Sequence, residues 1–266
     1  MRKVLLKILD SPLAGLSPWF VYSLTSGPER LEVSVLLALA TALVVVMLGR
    51  LRGGSLKMLE LSDLTFFGGL AIVVAVAGDD FHGWLELWSG EVANLALVVI
   101  SVGSIVARRP FTLQYAREQA PRELWDNPDF IRANYVITGA WAIAFVLEAA
   151  SGAFGDAVLD NSNNLWTGWV IQTAALIFAA QFTIWYQDVV HARGRQVEGI
   201  AGDPPPTVAQ LFAGMTVWII VAGVLTLVFD GGPTWFGITL IVVGVLLTHA
   251  VGRAHKAQKK VIAAGT

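Results

Sequence analysis

The stretch "LEVSVLLALATALVVVMLG", residues 31–49, carries Glu32 as its only charged side chain. A helix needs about 20 mostly apolar residues to cross a hydrocarbon core about 30 Å thick. Every backbone N–H and C=O group inside that core must be hydrogen bonded within the segment itself, and an α-helix achieves this. The stretch therefore predicts a membrane-spanning helix.

The rest of the chain repeats this pattern. Six further stretches are long and apolar, with one or two ionisable residues usually near an end: 61–78, 85–107, 131–153, 165–187, 208–229 and 234–252. An eighth, "SPLAGLSPWFVYSLTSG" at 11–27, is shorter and contains two prolines. The chain is 55% hydrophobic and 14% charged, where a soluble domain has about 25% charged residues. We expect an all-α, polytopic helical bundle with 7 to 8 transmembrane segments.

The basic residues predict the orientation of these segments. If 11–27 crosses the membrane, all of the 18 Lys and Arg residues except Arg30 fall on one face. If it does not, Arg2, Lys3 and Lys7 move to the opposite face. Because loops rich in Lys and Arg stay in the cytoplasm, the pattern favours eight crossings, or seven and a re-entrant hairpin, with both termini cytoplasmic.

Three consecutive prolines in "VEGIAGDPPPT", 197–207, divide the chain, because a helix cannot continue through them. We expect a membrane core at 1–196, a proline-rich cytoplasmic linker at 197–207, an additional transmembrane hairpin at 208–252 and a basic tail at 253–266.

Motifs for catalysis and for cofactor binding are missing. The chain has no Cys, which removes thiolate chemistry and Cys-based metal sites. We find no phosphate-binding glycine loop, no HExxH and no GxSxG, and no two His residues at ligand spacing on one helix. We therefore expect no enzymatic activity, no cofactor and no metal. The formal net charge of −2 also argues against a nucleic-acid partner.

The polar passage "ARRPFTLQYAREQAPRELWDNPDFIR", 107–132, is the favoured contact site for a protein partner. Its five Arg and four acidic residues nearly balance, whereas an electrostatic lipid patch needs four to eight uncompensated basic residues. We expect a short amphipathic helix in which Glu118 pairs with Arg122 and Phe111 and Tyr115 face the lipid headgroups. The docking candidates are Arg108, Arg109, Phe111, Tyr115 and Arg117.

The same passage predicts where the next helix starts. In "DNPDF", 126–130, Asp126 or Asn127 can cap the helix, and Pro128 is tolerated in its first turn.

Three polar residues in the outer half of the bundle are candidates for transport, because ionisable groups at membrane depth often line a solute path. They are Glu91, Asn94 and Glu148. The simpler interpretation is that all three lie near the interface and are hydrated. Asp63, nearer the basic face, is expected to form a structural salt bridge with Arg50, Arg52, Lys57 or a loop arginine.

The order of features resembles the bacterial intracellular septation protein A family of polytopic inner-membrane proteins. The likeness covers roughly residues 5–192. It rests on an early cluster of Asp10, Pro12, Pro18, Trp19, Phe20 and Tyr22, followed by Lys57 and Met58, "FFGGL" at 66–70, "DDFHGW", "RRPF", Trp125 before "AWAIAF", and "NNLW". The chain departs from the family at Arg108 and Arg109, where a glycine and a lysine are usual, and in its added terminal hairpin.

This resemblance implies a multi-pass protein of the bacterial cytoplasmic (inner) membrane. Such a protein would belong to the cell envelope and act around septation and elongation through contacts with other membrane proteins. Its expected partners are membrane lipids and other envelope or division proteins. The alternative is a transporter of a small solute, an ion or a lipid, with an acidic outer vestibule. A lipid-modifying enzyme is a third possibility, which the missing motifs disfavour.

Overall fold

The computed structural model describes residues 11–27, 29–161, 164–197, 199, 202 and 204–264. All regular elements in this part of the chain are helices, which confirms the all-α prediction. They are α1 (Pro12–Thr25), α2 (Leu31–Leu51), α3 (Met58–Val76), α4 (Asp79–Val106), α5 (Phe111–Gln119), a 3₁₀ turn (Arg122–Leu124), α6 (Pro128–Ala157), a π-helical segment (Leu165–Val170), α7 (Ile171–Val197), α8 (Val208–Leu211), α9 (Ala213–Val228) and α10 (Thr234–Ala264).

Within the described residues, seven helical segments are long and apolar enough to cross a membrane. They are Leu31–Leu51, Met58–Val76, Asp79–Val106, Pro128–Ala157, Leu165–Val197, Val208–Val228 and Thr234–Arg253. Each contains one of the seven predicted stretches or most of it. The protein is a multi-pass integral membrane protein.

The side-chain pattern of α2 is typical of a helix that faces both protein and lipid. Small and polar residues recur on its inner face at Ser34, Ala38 and Ala42, which are almost fully buried. On its outer face, Leu36 and Leu43 are 58% and 55% exposed. Small residues let membrane helices approach closely, while large apolar side chains are stable against lipid.

The eighth predicted stretch forms α1, which has 14 residues. At 1.5 Å per residue it rises about 21 Å, less than the hydrocarbon thickness of about 30 Å. The helix by itself is therefore shorter than a regular span. Its Leu16, Trp19 and Tyr22 are buried, so it belongs to the protein interior.

The chain forms two compact units, Met1–Ala142 and Ile143–Thr266, whose boundary lies within α6. In the first unit, the rings of Trp19 and Tyr22 pack against Phe67, with centroids 4.9 and 5.6 Å apart. The α6 helix begins at Pro128 as predicted, and the Asn127 side chain accepts the backbone N–H of Asp129 at 2.8 Å.

In the second unit, the terminal hairpin packs closely on itself and bonds to the helix before it. A Cβ at Gly223 of α9 would lie 2.7 Å from the carbonyl oxygen of Gly237 of α10. Trp166 Nε1 donates to the carbonyl of Gly231, in the turn of the hairpin, at 2.9 Å. The hairpin therefore shares its compact unit with α7. The division of the chain at residues 197–207 stays a prediction.

Candidate functional site

Three ionisable side chains point inward at the start of α3. Lys57, Glu60 and Asp63 follow one another at intervals of three residues, so they share one helix face, and they are 3%, 4% and 0% exposed. Burying a charge costs several kcal/mol unless it is paired, and ionisable residues within membrane helices mark functional sites more often than not. This face is therefore the first candidate for a site.

Lys57 and Glu60 bond to each other through both main chain and side chain. Lys57 is the last residue before α3, and its backbone N–H donates to the Glu60 carboxylate at 3.2 Å. Its Nζ donates to the other Glu60 oxygen at 3.4 Å. The Glu60 charge also lies in the first turn of the helix, where the helix dipole favours an anion.

The short helix α5 supplies the second carboxylate. Glu118 Oε2 lies 2.9 Å from Lys57 Nζ, and Glu118 Oε1 accepts the backbone N–H and the hydroxyl of Ser55 at 2.9 and 2.8 Å. One turn earlier, Gln114 accepts the backbone N–H of Met58 at 2.6 Å. Lys57 is thus held between carboxylates from two helices, and α5 is fastened to the start of α3.

These bonds set the protonation of Glu118, which lies outside the membrane-spanning segments. Burial alone would raise the pKa of its carboxyl. The hydrogen bonds from Lys57 and Ser55, together with the positive charge of Lys57, outweigh burial and hold the pKa below its ordinary value of 4.5. Glu118 is therefore ionised at neutral pH.

Tyr115 lies beneath this ion pair and is 1% exposed. Lys57 Nζ stands 5.1 Å from the centre of its ring, within the range of a cation–π contact. The hydroxyl lies against Gly15 of α1, and it has no hydrogen-bond partner within the described residues. Burial and the nearby charges of Glu60, Asp63 and Glu118 raise the pKa of Tyr115 well above its ordinary value.

Asp63 is the deepest member of the group. Its Oδ1 accepts a hydrogen bond from Trp19 Nε1 at 2.6 Å, whereas its Oδ2 is buried and has no hydrogen-bond partner in the described part of the chain. It forms no salt bridge with a described residue, so the predicted pairing with Arg50, Arg52, Lys57 or a loop arginine is wrong. Lys57 is already held by Glu60 and Glu118.

Lys57, Glu60, Asp63, Tyr115 and Glu118 are together called the Lys57 cluster. The cluster contains one cationic side chain, Lys57, and three carboxyl groups. Two of the three carboxylates bind the cation directly, and the third, Asp63, has only a neutral indole donor. A buried carboxylate without a cationic partner is costly, so a proton or a small cation at Asp63 would stabilise the cluster.

The structure divides the docking candidates into buried and exposed residues. Phe111 and Tyr115 are each 1% exposed, so the prediction that they face the headgroups is wrong. Both rings pack inward because α5 turns that face toward the bundle. Arg117 is engaged within the loop, since its guanidinium donates to the Trp125 carbonyl at 3.1 Å and lies 5.7 Å from the Trp125 ring.

The predicted ion pair of Glu118 with Arg122 is also wrong. The α5 helix ends at Gln119, so the two residues do not lie on one helix. Arg122 instead lies 5.7 Å from the centre of the Trp125 ring. The ion-pair partner of Glu118 is Lys57.

Arg108 and Arg109 are exposed at the end of α4. Arg108 has φ +57°, in the left-handed region that glycine usually occupies. The backbone N–H of Arg109 donates to the Ser104 carbonyl at 2.9 Å, and that of Arg108 to Ile105 at 3.0 Å. This is the Schellman arrangement that ends a helix. The two side chains remain available to a partner.

The transport candidates lie in different parts of the chain. Glu91 and Asn94 are half-buried on α4 in the first compact unit. Glu148 is 6% exposed and belongs to the second unit, so the simpler interpretation, that it is hydrated at the interface, is wrong for Glu148.

Sequence reasoning missed the Lys57 cluster as a group, although part of its signal was visible. Ionisable residues at intervals of three, just before a long apolar run, indicate one charged helix face. The sequence spacing could not show that Glu118 joins this face, because Glu118 lies on a different helix, far along the chain. Within the described residues, no three His, Cys, Asp or Glu side chains are grouped closely enough to hold a metal ion.

Comparison with protein-family models, with curated proteins and with solved structures gave no match. The resemblance to the septation protein A family therefore rests on the quoted residues alone.

Proposed function

We propose that this membrane protein is an ion transporter that moves protons, with Asp63 as the proton-carrying carboxyl. The observation that carries the proposal is the environment of Asp63, which is fully buried within a membrane-spanning helix and has one oxygen without a described hydrogen-bond partner. Carboxyl groups in such positions serve as proton relays in pumps and transporters.

The remaining members of the Lys57 cluster would tune the charge of Asp63. When Asp63 holds a proton, Lys57, Glu60 and Glu118 carry a net charge of −1. When it releases the proton, a second uncompensated negative charge develops in a buried setting. That charge is unfavourable at low dielectric, so the ionised form would persist only if the surroundings rearrange or admit water. Such a two-state carboxyl is what a transport cycle requires.

Proton flux into liposomes tests this proposal. The protein is reconstituted into potassium-loaded vesicles that contain a pH-sensitive dye, and valinomycin imposes an inside-negative potential. We expect internal acidification faster than in protein-free vesicles. Asp63→Asn should remove most of this flux, because asparagine keeps an oxygen for Trp19 but cannot carry a proton.

Asp160→Asn is the matched control. Asp160 is exposed and has φ +48°, a conformation that asparagine tolerates well, so its replacement should leave flux unchanged. Wild-type flux equal to that of empty vesicles, or an Asp63→Asn variant as fast as the wild type, would refute the proposal.

A second candidate is the envelope protein that the family resemblance implies, acting in septation through protein contacts. The exposed arginine pair Arg108 and Arg109 supports it, because the Schellman turn that ends α4 leaves both side chains exposed. The distribution of basic residues predicts that this turn faces the cytoplasm. On either proposal we retain the prediction that the chain has no enzymatic activity.

Localisation of a fluorescent fusion in the native host tests this second candidate. We expect the wild-type fusion to concentrate at the division site, and Arg108→Ala/Arg109→Ala to spread evenly while it stays in the membrane. Arg193→Ala, at an exposed arginine on α7, is the control. A wild-type fusion spread evenly over the membrane would count against a septation role.

A further inference from the structure

Two polar atoms of the Lys57 cluster are buried and have no hydrogen-bond partner within the described residues. They are Asp63 Oδ2 on α3 and the Tyr115 hydroxyl on α5. Folded proteins pair nearly all buried polar atoms, either with protein groups or with ordered water. The two atoms are also complementary, because an ionised carboxylate only accepts hydrogen bonds and a phenol can donate one.

Helices α1 and α3 set the spacing of these two atoms along the bundle. One contact between the helices joins Gly15 and Leu59, since a Cβ at Gly15 would be 2.8 Å from Leu59 Cδ2. Four residues later on each helix, Trp19 donates to Asp63. The Tyr115 hydroxyl lies against Gly15, level with the first of these contacts. Four residues of helix rise about 6 Å, so the hydroxyl lies about one turn before Asp63.

The tilt of the side chains on α3 shortens this interval. Side chains of an α-helix tilt toward the N-terminus of the helix, and Tyr115 lies toward that end of α3. The gap is longer than one hydrogen bond, because Asp63 Oδ2 and the hydroxyl are not bonded to each other. One water molecule fits such a gap, since two O–H···O hydrogen bonds of about 2.8 Å reach across about 5.6 Å. A buried water is stable between polar partners of this kind.

The charges of the cluster keep Tyr115 in its neutral form. Burial and the negative charges of Glu60, Asp63 and Glu118 raise the pKa of Tyr115 well above its ordinary value. The hydroxyl therefore keeps its proton and can donate a hydrogen bond, through the water, to ionised Asp63. When Asp63 is protonated, its own O–H donates to the water, and the water donates to the Tyr115 oxygen. The hydrogen bonds reverse by rotation, so no proton leaves Tyr115.

We propose that Tyr115 is the positioning residue for proton release from Asp63, and that it acts through one water bound between its hydroxyl and Asp63 Oδ2. On release, the O–H bond of the Asp63 carboxyl breaks, the electron pair stays on Oδ2 and the proton passes to water. The hydroxyl then stabilises the new anion. Lys57 does not serve this purpose, because Glu60 and Glu118 already bind its Nζ. The role of Tyr115 rests on the proposed proton transport by Asp63.

Loss of this hydroxyl should slow proton release and leave proton uptake unchanged, because only ionised Asp63 needs its hydrogen bond. With equal pH on both sides of the membrane, release limits the flux at low pH and uptake limits it at high pH. We expect Tyr115→Phe to lower the low-pH plateau about tenfold, the size of one hydrogen bond to a charged group. At high pH its flux should equal that of the wild type. The pH of half-maximal flux should therefore rise by about one unit.

Tyr115→Phe leaves every other ionisable group around Asp63 in place. On α3 and α5 these groups are Lys57, Glu60 and Glu118. On α1 the group is Tyr22, whose hydroxyl donates to Ser89 of α4 at 2.6 Å. The buried residues of α2 (31–51) and α4 (79–106) include no ionisable side chain. A shift in the pH of half-maximal flux would therefore come from the Tyr115 hydroxyl.

The valinomycin-driven liposome assay tests this role, with the internal and external pH set equal and varied together. Tyr22→Phe is the matched control, because Tyr22 is also buried, at 2% exposed, and its hydroxyl is engaged by Ser89. The control should keep the half-maximal pH of the wild type, whatever the height of its plateau. The same shift in Tyr22→Phe as in Tyr115→Phe would overturn the proposal.

The remaining outcomes separate the role of Tyr115 from proton transport itself. If Tyr115→Phe matches the wild type while Asp63→Asn loses its flux, Tyr115 has no such role and Asp63 still carries protons. If Tyr115→Phe lowers the flux by the same factor at every pH, its effect is structural and the proposal is overturned. A wild type no faster than empty vesicles would refute the transport function and the role of Tyr115 together.

Discussion

Gly15 shows how closely the helices approach around the Lys57 cluster. A Cβ at this position would collide with the Tyr115 hydroxyl and lie 2.8 Å from Leu59 Cδ2. We expect Gly15→Ala to lower the free energy of unfolding by about 1–3 kcal/mol, the usual cost of overpacking. Chemical unfolding in mixed micelles, followed by circular dichroism, would measure it.

Tyr115→Phe provides the rescue for this change. By itself it should cost little, because the hydroxyl has no hydrogen-bond partner within the described residues. Combined with Gly15→Ala it should restore part of the lost stability, while the contact with Leu59 remains. Gly68→Ala, where a Cβ would meet nothing within 4 Å, is the control. Full additivity of the two changes would show that Gly15 and Tyr115 do not interact.

At the scale of elements, the attachment of α5 to α3 should depend on pH through Glu118. Its folded pKa is lower than its unfolded pKa, so its stabilising contribution is present above the ordinary value of 4.5 and is lost as pH falls through the folded pKa. We expect Glu118→Gln to lower the unfolding temperature at pH 7. The unfolding temperature of this variant should also fall less than that of the wild type as the pH is lowered below about 4.5.

Glu123→Gln is the control for this measurement. Glu123 is exposed in the same loop and has no ion pair with a described residue, so its replacement should leave the acid dependence unchanged. If the unfolding temperature of Glu118→Gln falls with decreasing pH as steeply as that of the wild type, other carboxyl groups cause the loss of stability in acid.

The stability of the terminal hairpin should depend on the absence of a side chain at Gly223, as that of the first unit depends on Gly15. A Cβ at Gly223 would meet the backbone of Gly237 and of Ile241, and backbone cannot move aside as a flexible side chain can. We expect Gly223→Ala to cost about 1–3 kcal/mol of unfolding free energy, measured in the same micelles. Gly69→Ala, on an exposed face of α3, should have almost no effect. Equal stability of the two variants would contradict close packing.

For the whole molecule, the orientation in the membrane follows from the basic residues and is open to direct measurement. The chain has no cysteine, so single cysteines can be introduced without a background. In intact cells, a membrane-impermeant maleimide should label Asp160→Cys at once and Arg109→Cys or Arg193→Cys only after permeabilisation. The opposite pattern would reverse the predicted orientation.

The seven spans and the start of α6 were predictable from sequence, because each depends on residues that are close in the chain. A run of apolar side chains specifies a span, and Asn127 with Pro128 specifies a helix start. The short helix in the 107–132 passage was predictable in the same way. Its buried face was not, since polar and aromatic residues together are also typical of a surface helix.

The sequence by itself determined the membrane class, the number of long spans and the face expected to hold the basic loops, because transfer into lipid is decided segment by segment. Only the tertiary structure decided which polar groups meet. Trp19 and Asp63 are 44 residues apart and Ser55 and Glu118 are 63 apart, so no local pattern connects them. Helix packing decides which of these groups come within reach of each other. For the buried pair Trp19 and Asp63, a donor and an acceptor in a low-dielectric interior must also find partners.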